Sequence, residues 1–226
     1  MFRFVVIAAA VAAAAAAPAP KPPATETAAF HATSAPLPPA IRDELATRKI
    51  WRPGCPVGLK DLRLLTVTYR GFDHRTHTGR LVVNASATAP LSKVFRRLYA
   101  LHFPIRDMHF QHAYGPGSNV ASNDDVSASF SCRQAVPSPC TGGLTSGHWS
   151  MHAFGLAVDI NPRENPYVGC GQSHSPTARR YRDRSRHLPG MVTPRAIAAF
   201  ASIGWGWGGA WAGTTKDYMH FSASGH

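Results

Sequence analysis

The stretch Ser146-Gly-His-Trp-Ser-Met-His-Ala-Phe-Gly-Leu-Ala-Val-Asp-Ile-Asn-Pro162 joins an apolar run to two side chains that can bind a metal. Residues 156–160 have the composition of a buried strand, and this strand carries the carboxylate of Asp159. A buried carboxylate needs a partner, and His152, seven residues earlier, supplies one if both groups bind the same cation. Gly155 lies between them and allows a sharp turn or a close backbone approach. The stretch therefore predicts two ligands of one metal site.

A third ligand is expected in Asp217-Tyr-Met-His220, which follows a segment rich in glycine and tryptophan. His152, Asp159 and His220 would leave the fourth position of a tetrahedral Zn²⁺ open, as in catalytic zinc sites. Asp217 lies three residues before the third ligand, where a carboxylate can take the proton of an attacking water. The pattern favours a catalytic zinc site over a structural one.

This combination resembles the zinc D-alanyl-D-alanine carboxypeptidase (VanY-like) peptidases of bacterial cell walls, which share their site plan with hedgehog-type domains. The resemblance runs from about residue 51 to residue 221, through Cys55-Pro-Val, Gly71-Phe-Asp, Phe103-Pro-Ile, Ser127 to Arg133, Ser150 to Val168 and Gly204 to Phe221. It implies Zn²⁺ as cofactor and hydrolysis of peptide bonds in peptidoglycan stem peptides, either by a D-Ala-D-Ala carboxypeptidase or by an L-Ala-D-Glu-type endopeptidase. The alternative is a non-catalytic, hedgehog-like zinc module that binds the cell wall or a protein partner. Asp217 argues against this alternative, because a pure binding module needs no base.

The resemblance also implies roles for residues around the metal. Asp217 is the expected general base, and its alternative role is to orient His220. Arg133 matches an arginine that faces the substrate, where it would bind a carboxylate or the developing oxyanion; an ordinary surface arginine is the alternative. Ser150 matches the serine beside the zinc histidine and is expected to hydrogen-bond the substrate or the backbone.

Aromatic side chains are concentrated in the glycine-rich segment before Asp217, at Trp205, Trp207 and Trp211. Trp207 is predicted to wall the cleft and to contact the substrate, since the neighbouring glycines would let a peptide approach. Packing in the core is the alternative for each of the three tryptophans.

The amino-terminal part of the chain predicts export. Residues 1–19, with Arg3 before an alanine-rich apolar run, are typical of a secretory signal peptide, and a retained signal anchor is the alternative. Residues 20–40 are rich in proline and alanine and predict a flexible linker. Residues 41–226 are then the catalytic domain of a secreted, cell-wall-associated protein, with no stable membrane span expected after cleavage.

Export makes the four cysteines, at positions 55, 132, 140 and 170, candidates for two disulfides. Three pairings are possible, and the short loop between Cys132 and Cys140 makes that pair the preferred one. A zinc site built from cysteines is the alternative, but no C-x-x-C occurs.

The formal net charge of +12 comes without any nucleic-acid-binding motif, so no nucleic acid partner is expected. Anionic cell-wall polymers are the expected partners of this charge, and solubility alone is the alternative. Part of the charge lies in Arg179-Arg-Tyr-Arg-Asp-Arg-Ser-Arg-His187, which is either an ordinary solvated run or a wall-binding loop.

The predicted helices do not alternate regularly with the predicted strands, which favours an α+β fold, a single domain with a central antiparallel sheet flanked by helices. The resemblance implies the same fold, that of hedgehog and DD-peptidase domains. An amphipathic pattern predicts a helix over 91–101, and Thr193, Pro194 and Gly204 bracket another. A shorter helix is expected over 41–48. Strands are predicted at 64–69, 80–84, 108–114, 127–132 and 156–160.

Overall fold

The computed structural model describes Met1 and residues 29–111, 125–135, 147–169 and 176–226. Over these residues the chain is an α+β domain whose strand ladders are antiparallel, which confirms the predicted class. The expected central sheet is divided, however, into two three-stranded sheets and one two-stranded sheet. Two of the three predicted ligands, Asp159 and His220, lie on the second three-stranded sheet.

The first sheet has the order β1-β2-β3, with β1 at Ala32–Pro36, β2 at Leu62–Arg70 and β3 at Thr76–Asn84. The predicted pairing of β2 with β3 is confirmed, and the ladder runs from Leu62 opposite Asn84 to Arg70 opposite Thr76. Alternate residues of β2 are buried, so one face of this sheet covers the core.

Strand β1 lies inside the segment that was predicted to be a flexible linker, and the linker prediction is wrong there. The backbone of β1 pairs with β2, from Ala32 opposite Val67 to Pro36 opposite Arg63. Most side chains of β1 are exposed, so an edge strand forms here without the apolar residues that would reveal it in the sequence. Helix α1 follows at Pro39–Thr47, close to the predicted helix.

Two further helices pack together over the main core. Helix α2 spans Thr88–Ala100 and helix α3 spans Pro194–Ala201, in agreement with the predicted helices. The Thr193 side chain accepts a hydrogen bond from the backbone N–H of Ala196, which is the expected N-cap. The core between the helices and the sheets includes Leu91, Phe95, Phe200 and Phe221.

The second sheet has the order β4-β8-β6, with β4 at Ala157–Asp159, β6 at Gly206–Trp207 and β8 at His220–Ser222. Beside it, β5 at Tyr167–Val168 pairs with β7 at Lys216–Asp217. The predicted strand over 156–160 is thereby confirmed.

The predicted strands at 108–114 and 127–132 are wrong as regular strands. Their described residues form single bridges, Met108 with Ser127 and Ala128 with Asp159, and residues 112–114 lie outside the described part of the chain. The physical reason is that the backbone N–H groups of residues 127–132 donate hydrogen bonds to several different elements and not to one neighbouring strand. Phe130 N–H donates to Val82 O, whereas Ser131 N–H donates to His152 O.

A disulfide joins Cys55 to Cys132, with 5.7 Å between their Cα atoms, so the preferred Cys132–Cys140 pairing is wrong. Cys132 is buried in a second, smaller core against which Cys55 packs, and Arg52 donates a hydrogen bond to the Cys132 carbonyl. Burial against the smaller core thus brings together two cysteines that are 77 residues apart. Cys140 and Cys170 lie outside the described residues.

The predicted signal peptide also lies outside the described residues, apart from Met1. Within the described ranges, every helix lacks the length and apolar character needed to cross a membrane.

Candidate metal centre

Two of the predicted ligands face each other across the β4–β8 ladder. Asp159 pairs directly with His220, so their side chains leave the sheet on the same face. Val158 and Phe221, the preceding pair, point to the opposite face, where Phe221 stacks on Phe200 with ring centroids 3.8 Å apart. The period of two along both strands therefore places apolar residues in the core and metal-binding groups on the other side.

The third ligand, His152, is held by a short 3₁₀ helix at Met151–Phe154 that ends at Gly155. Gly155 has φ +66°, and a Cβ there would lie 2.5 Å from the backbone nitrogen of Asn84 at the end of β3. Asn84 donates from its backbone to the Gly155 carbonyl and from its side chain to the Phe154 carbonyl. The expected close approach at this glycine is therefore present, and it fixes the turn that carries His152.

The three side chains converge on one point. His152, Asp159 and His220 are buried, and one ligand atom from each lies within 4.8 Å of the other two. Nε2 of His152 and Nδ1 of His220 are each 3.2 Å from an oxygen of Asp159 and 3.1 Å from each other. With ligand distances of about 2.0–2.1 Å, the corners of a tetrahedral Zn²⁺ site are about 3.3 Å apart. The donor set and its spacing fit Zn²⁺.

A backbone carbonyl orients the first histidine. Nδ1 of His152 lies 2.6 Å from the Ser129 carbonyl oxygen, to which it donates. The proton on Nδ1 leaves a lone pair on Nε2, the nitrogen that faces Asp159 and His220. Ser129 was not singled out in the sequence, because a carbonyl group leaves no side-chain signal.

The charges of the cluster also suit a cation. Burial raises the pKa of Asp159, but the contacts with His152 and His220 outweigh it and hold that pKa well below its usual range. Burial lowers the pKa of His152, which favours the neutral imidazole that binds metals. Burial also lowers the pKa of His220, but the hydrogen bond to Asp159 outweighs this effect, and the pKa of His220 is raised overall. Asp159 is therefore ionised at neutral pH.

Asp217 lies on β7, three residues before His220, and its Oδ1 atom is buried with no hydrogen-bond partner among the described residues. Burial, followed by the negative charge of Asp159, raises the pKa of Asp217 to about 7. A carboxyl group with this pKa can both accept and release a proton near neutral pH. Gly208 packs against it so closely that a Cβ there would lie 2.4 Å from the Asp217 carbonyl oxygen.

Arg133 follows the disulfide-bonded Cys132 directly. Its side chain is partly exposed, and its Nε atom is buried without a hydrogen-bond partner among the described residues. Burial lowers the pKa of Arg133, and the charges of Asp159 and Asp217 raise it. The guanidinium group therefore lies within the electrostatic field of both carboxylates and remains a cation.

The Ser150 side chain contacts the backbone of the helix that follows it. Ser150 is the N-cap of the 3₁₀ helix, and its hydroxyl accepts a hydrogen bond from the backbone N–H of His152 at 3.3 Å. Of the two partners expected for this hydroxyl, substrate or backbone, the backbone contact is the one seen.

The three tryptophans occupy different environments. Trp205 is buried in the main core. Trp207 is partly buried and donates its indole N–H to the Tyr218 carbonyl at 2.8 Å. Trp211, which was not selected as a substrate contact, has its ring centroid 5.9 Å from that of His220. Of these three tryptophans, Trp211 is thus the one whose ring lies against His220, a predicted metal ligand.

A family model described as D-alanyl-D-alanine carboxypeptidase matches residues 144–223. The predicted resemblance is confirmed over this span, which contains His152, Asp159, Asp217 and His220 but not Arg133. The match supports peptidase activity. No curated protein and no solved structure matches the chain.

Proposed function

We propose that this chain is an exported zinc metallopeptidase that hydrolyses peptide bonds in peptidoglycan stem peptides, as a D-Ala-D-Ala carboxypeptidase or an L-Ala-D-Glu-type endopeptidase. The observation that carries the proposal is the convergence of His152, Asp159 and His220 next to Asp217, a buried carboxyl group with an unpartnered oxygen. The family match over the same residues supports it.

Zn²⁺ would be held by Nε2 of His152, a carboxylate oxygen of Asp159 and Nδ1 of His220. Bound there, it would supply Lewis-acid catalysis, which polarises the scissile carbonyl and makes water more acidic. The chain's own contribution to this step is to hold the three ligand atoms in a buried, fixed arrangement through the β4–β8 pairing and the Ser129 carbonyl.

Asp217 acts as the general base in this proposal. Its carboxylate accepts a proton from the attacking water as the new C–O bond forms, and passes that proton to the leaving amine nitrogen as the C–N bond breaks. Arg133 binds the carboxylate of the substrate or the developing oxyanion, because its cationic guanidinium group interacts electrostatically with both Asp159 and Asp217.

Export to the cell wall is supported by the amino-terminal sequence and by the disulfide, since disulfides persist in oxidising compartments. The peptidoglycan peptide is then the substrate available to the enzyme. A non-catalytic zinc module remains the competing function, and the role of Asp217 distinguishes the two.

The test is mass spectrometry of defined muropeptides after incubation with the zinc-loaded protein, because the mass lost identifies the bond that is cut. Asp217→Asn keeps the shape of the side chain but cannot accept the proton, so kcat is expected to fall by about 10²–10⁴-fold. Its zinc content and melting temperature are expected to stay near those of the parent. Asp43→Asn, on the exposed face of α1, is the matched control.

Near-parental turnover by Asp217→Asn would refute its role as the base. Loss of zinc from this variant would instead make Asp217 a ligand or a residue that orients one. A parental protein that holds zinc but leaves every muropeptide intact would favour the non-catalytic module.

A further inference from the structure

The arginine-rich run 179–187, here called the basic segment, is not uniformly solvated. Arg184 is partly buried and donates hydrogen bonds to the Glu164 carbonyl, the Asn165 side chain and the Val192 carbonyl, at 3.1–3.2 Å. In contrast, Arg179 and Arg186 are exposed, whereas Arg180 donates a hydrogen bond to the Tyr181 hydroxyl at 2.6 Å. Arg184 therefore anchors the segment, and Arg179 and Arg186 are presented to solvent.

The anchor attaches the basic segment next to the proposed active site. The guanidinium carbon of Arg184 lies 4.6 Å from the centre of the Tyr218 ring, and Tyr218 directly follows Asp217. The residues that accept its hydrogen bonds, Glu164 and Asn165, lead into β5, where Tyr167 pairs with Asp217. The segment is thus attached to both chain stretches that flank the proposed base.

A second attachment holds the other part of the basic segment. The buried Tyr181 donates its hydroxyl to Oε1 of Glu164 at 3.3 Å. Tyr181 lies two residues after Arg179, and Arg184 lies two residues before Arg186. Two residues span at most about 7 Å of extended chain, so both exposed arginines stay close to an anchored position.

We propose that the basic segment is a docking surface for the carboxylate-bearing peptidoglycan polymer, and that it holds the polymer beside the site while one stem peptide is cleaved. Guanidinium groups bind carboxylates through paired, charge-assisted hydrogen bonds. Two exposed arginines close to anchored positions therefore favour a polyanion over a single small fragment, because successive carboxylates of one polymer can bind them together. This inference rests on the proposed peptidase function and specifies the form of its substrate.

The test compares two charge-matched variants, Arg179→Gln/Arg186→Gln in the basic segment and Lys93→Gln/Arg97→Gln on the exposed face of α2. KM is measured on insoluble peptidoglycan and on a single soluble muropeptide with the same scissile bond. Exposed ion pairs are individually weak, so the ratio of polymer KM to fragment KM is expected to rise about 2- to 30-fold in the first variant and to stay at the parental value in the second. High salt should reduce the difference between the variants.

Binding to insoluble peptidoglycan, measured by cosedimentation, gives a readout that does not depend on turnover. Weaker cosedimentation of the basic-segment variant alone supports docking. An equal loss in both variants would assign the effect to net charge, and no loss in either would make the basic segment a solvated run; both results overturn the proposal. A parental protein that cosediments but cuts no bond would refute the peptidase function instead.

Discussion

Gly208→Ala tests whether close packing of a glycine positions Asp217. A Cβ at residue 208 would lie 2.4 Å from the Asp217 carbonyl oxygen and 2.9 Å from its Cβ. Real Cβ contacts essentially never fall below 3.0 Å, so the two backbones must separate by about 0.6 Å. The obstacle is backbone rather than a flexible side chain, and relaxation therefore has to move β7 or the backbone at residue 208.

The expected result is a loss of turnover with the metal retained. A displacement of about 1 Å in an active site can reduce the rate by about 10²-fold, so a shift of this size should lower kcat by about tenfold or more. Overpacking of this kind costs about 1–3 kcal/mol of unfolding free energy. The two histidine ligands are on other elements, and zinc content should stay near one ion per chain.

The assay combines steady-state kinetics on a muropeptide, elemental analysis for zinc and thermal unfolding. Gly58→Ala is the matched control, because a Cβ there would meet only the Asp61 side chain, at 3.3 Å, and the Lys60 side chain. Parental kcat in a folded Gly208→Ala protein would refute the argument that this contact positions the base.

Replacing either histidine ligand, by His152→Ala or His220→Ala, should remove zinc and activity together; a variant that keeps stoichiometric zinc would exclude that residue as a ligand. Opening the disulfide with Cys55→Ser should cost about 2–5 kcal/mol of unfolding free energy, and thiol labelling of Cys132 in the denatured, unreduced parent would contradict the pairing. Burial raises the pKa of Glu164 to about 7, so the folded protein binds this proton more tightly than the unfolded chain does. The contribution of Glu164 to stability should therefore fall as the pH rises from about 4.5 to about 7, and Glu164→Gln should flatten this slope in urea titrations; an unchanged slope would count against the shift.

The ligand set was accessible from sequence because each member lies in a local pattern. Asp159 is the carboxylate of an apolar strand, and His152 precedes a glycine that the turn requires. The distance between Asp159 and His220 did not follow from either local pattern. It is set by the pairing of β4 with β8, in which these two residues, some sixty positions apart in the chain, lie opposite each other.

The features that were missed depend on backbone groups or on distant contacts. Strand β1 is stabilised by backbone pairing at a sheet edge, so its composition resembles that of a linker. The disulfide partner of Cys132 is set by a small core that assembles from remote segments. Arg184 looks like its neighbours in sequence, and only its hydrogen bonds to Glu164, Asn165 and Val192 distinguish it from them.

Because Asp159 pairs directly with His220, the affinity of the site for a metal depends on the register between β4 and β8. A slip of β8 by one residue would bring Phe221 opposite Asp159 and turn His220 toward the apolar side, because side chains alternate along a strand. The misaligned chain would then lose the Phe221–Phe200 stack and would no longer place His220 beside Asp159. A cation that binds the native alignment alone stabilises it by mass action. Zinc bound by these residues would therefore favour the native alignment of β8 over a shifted one.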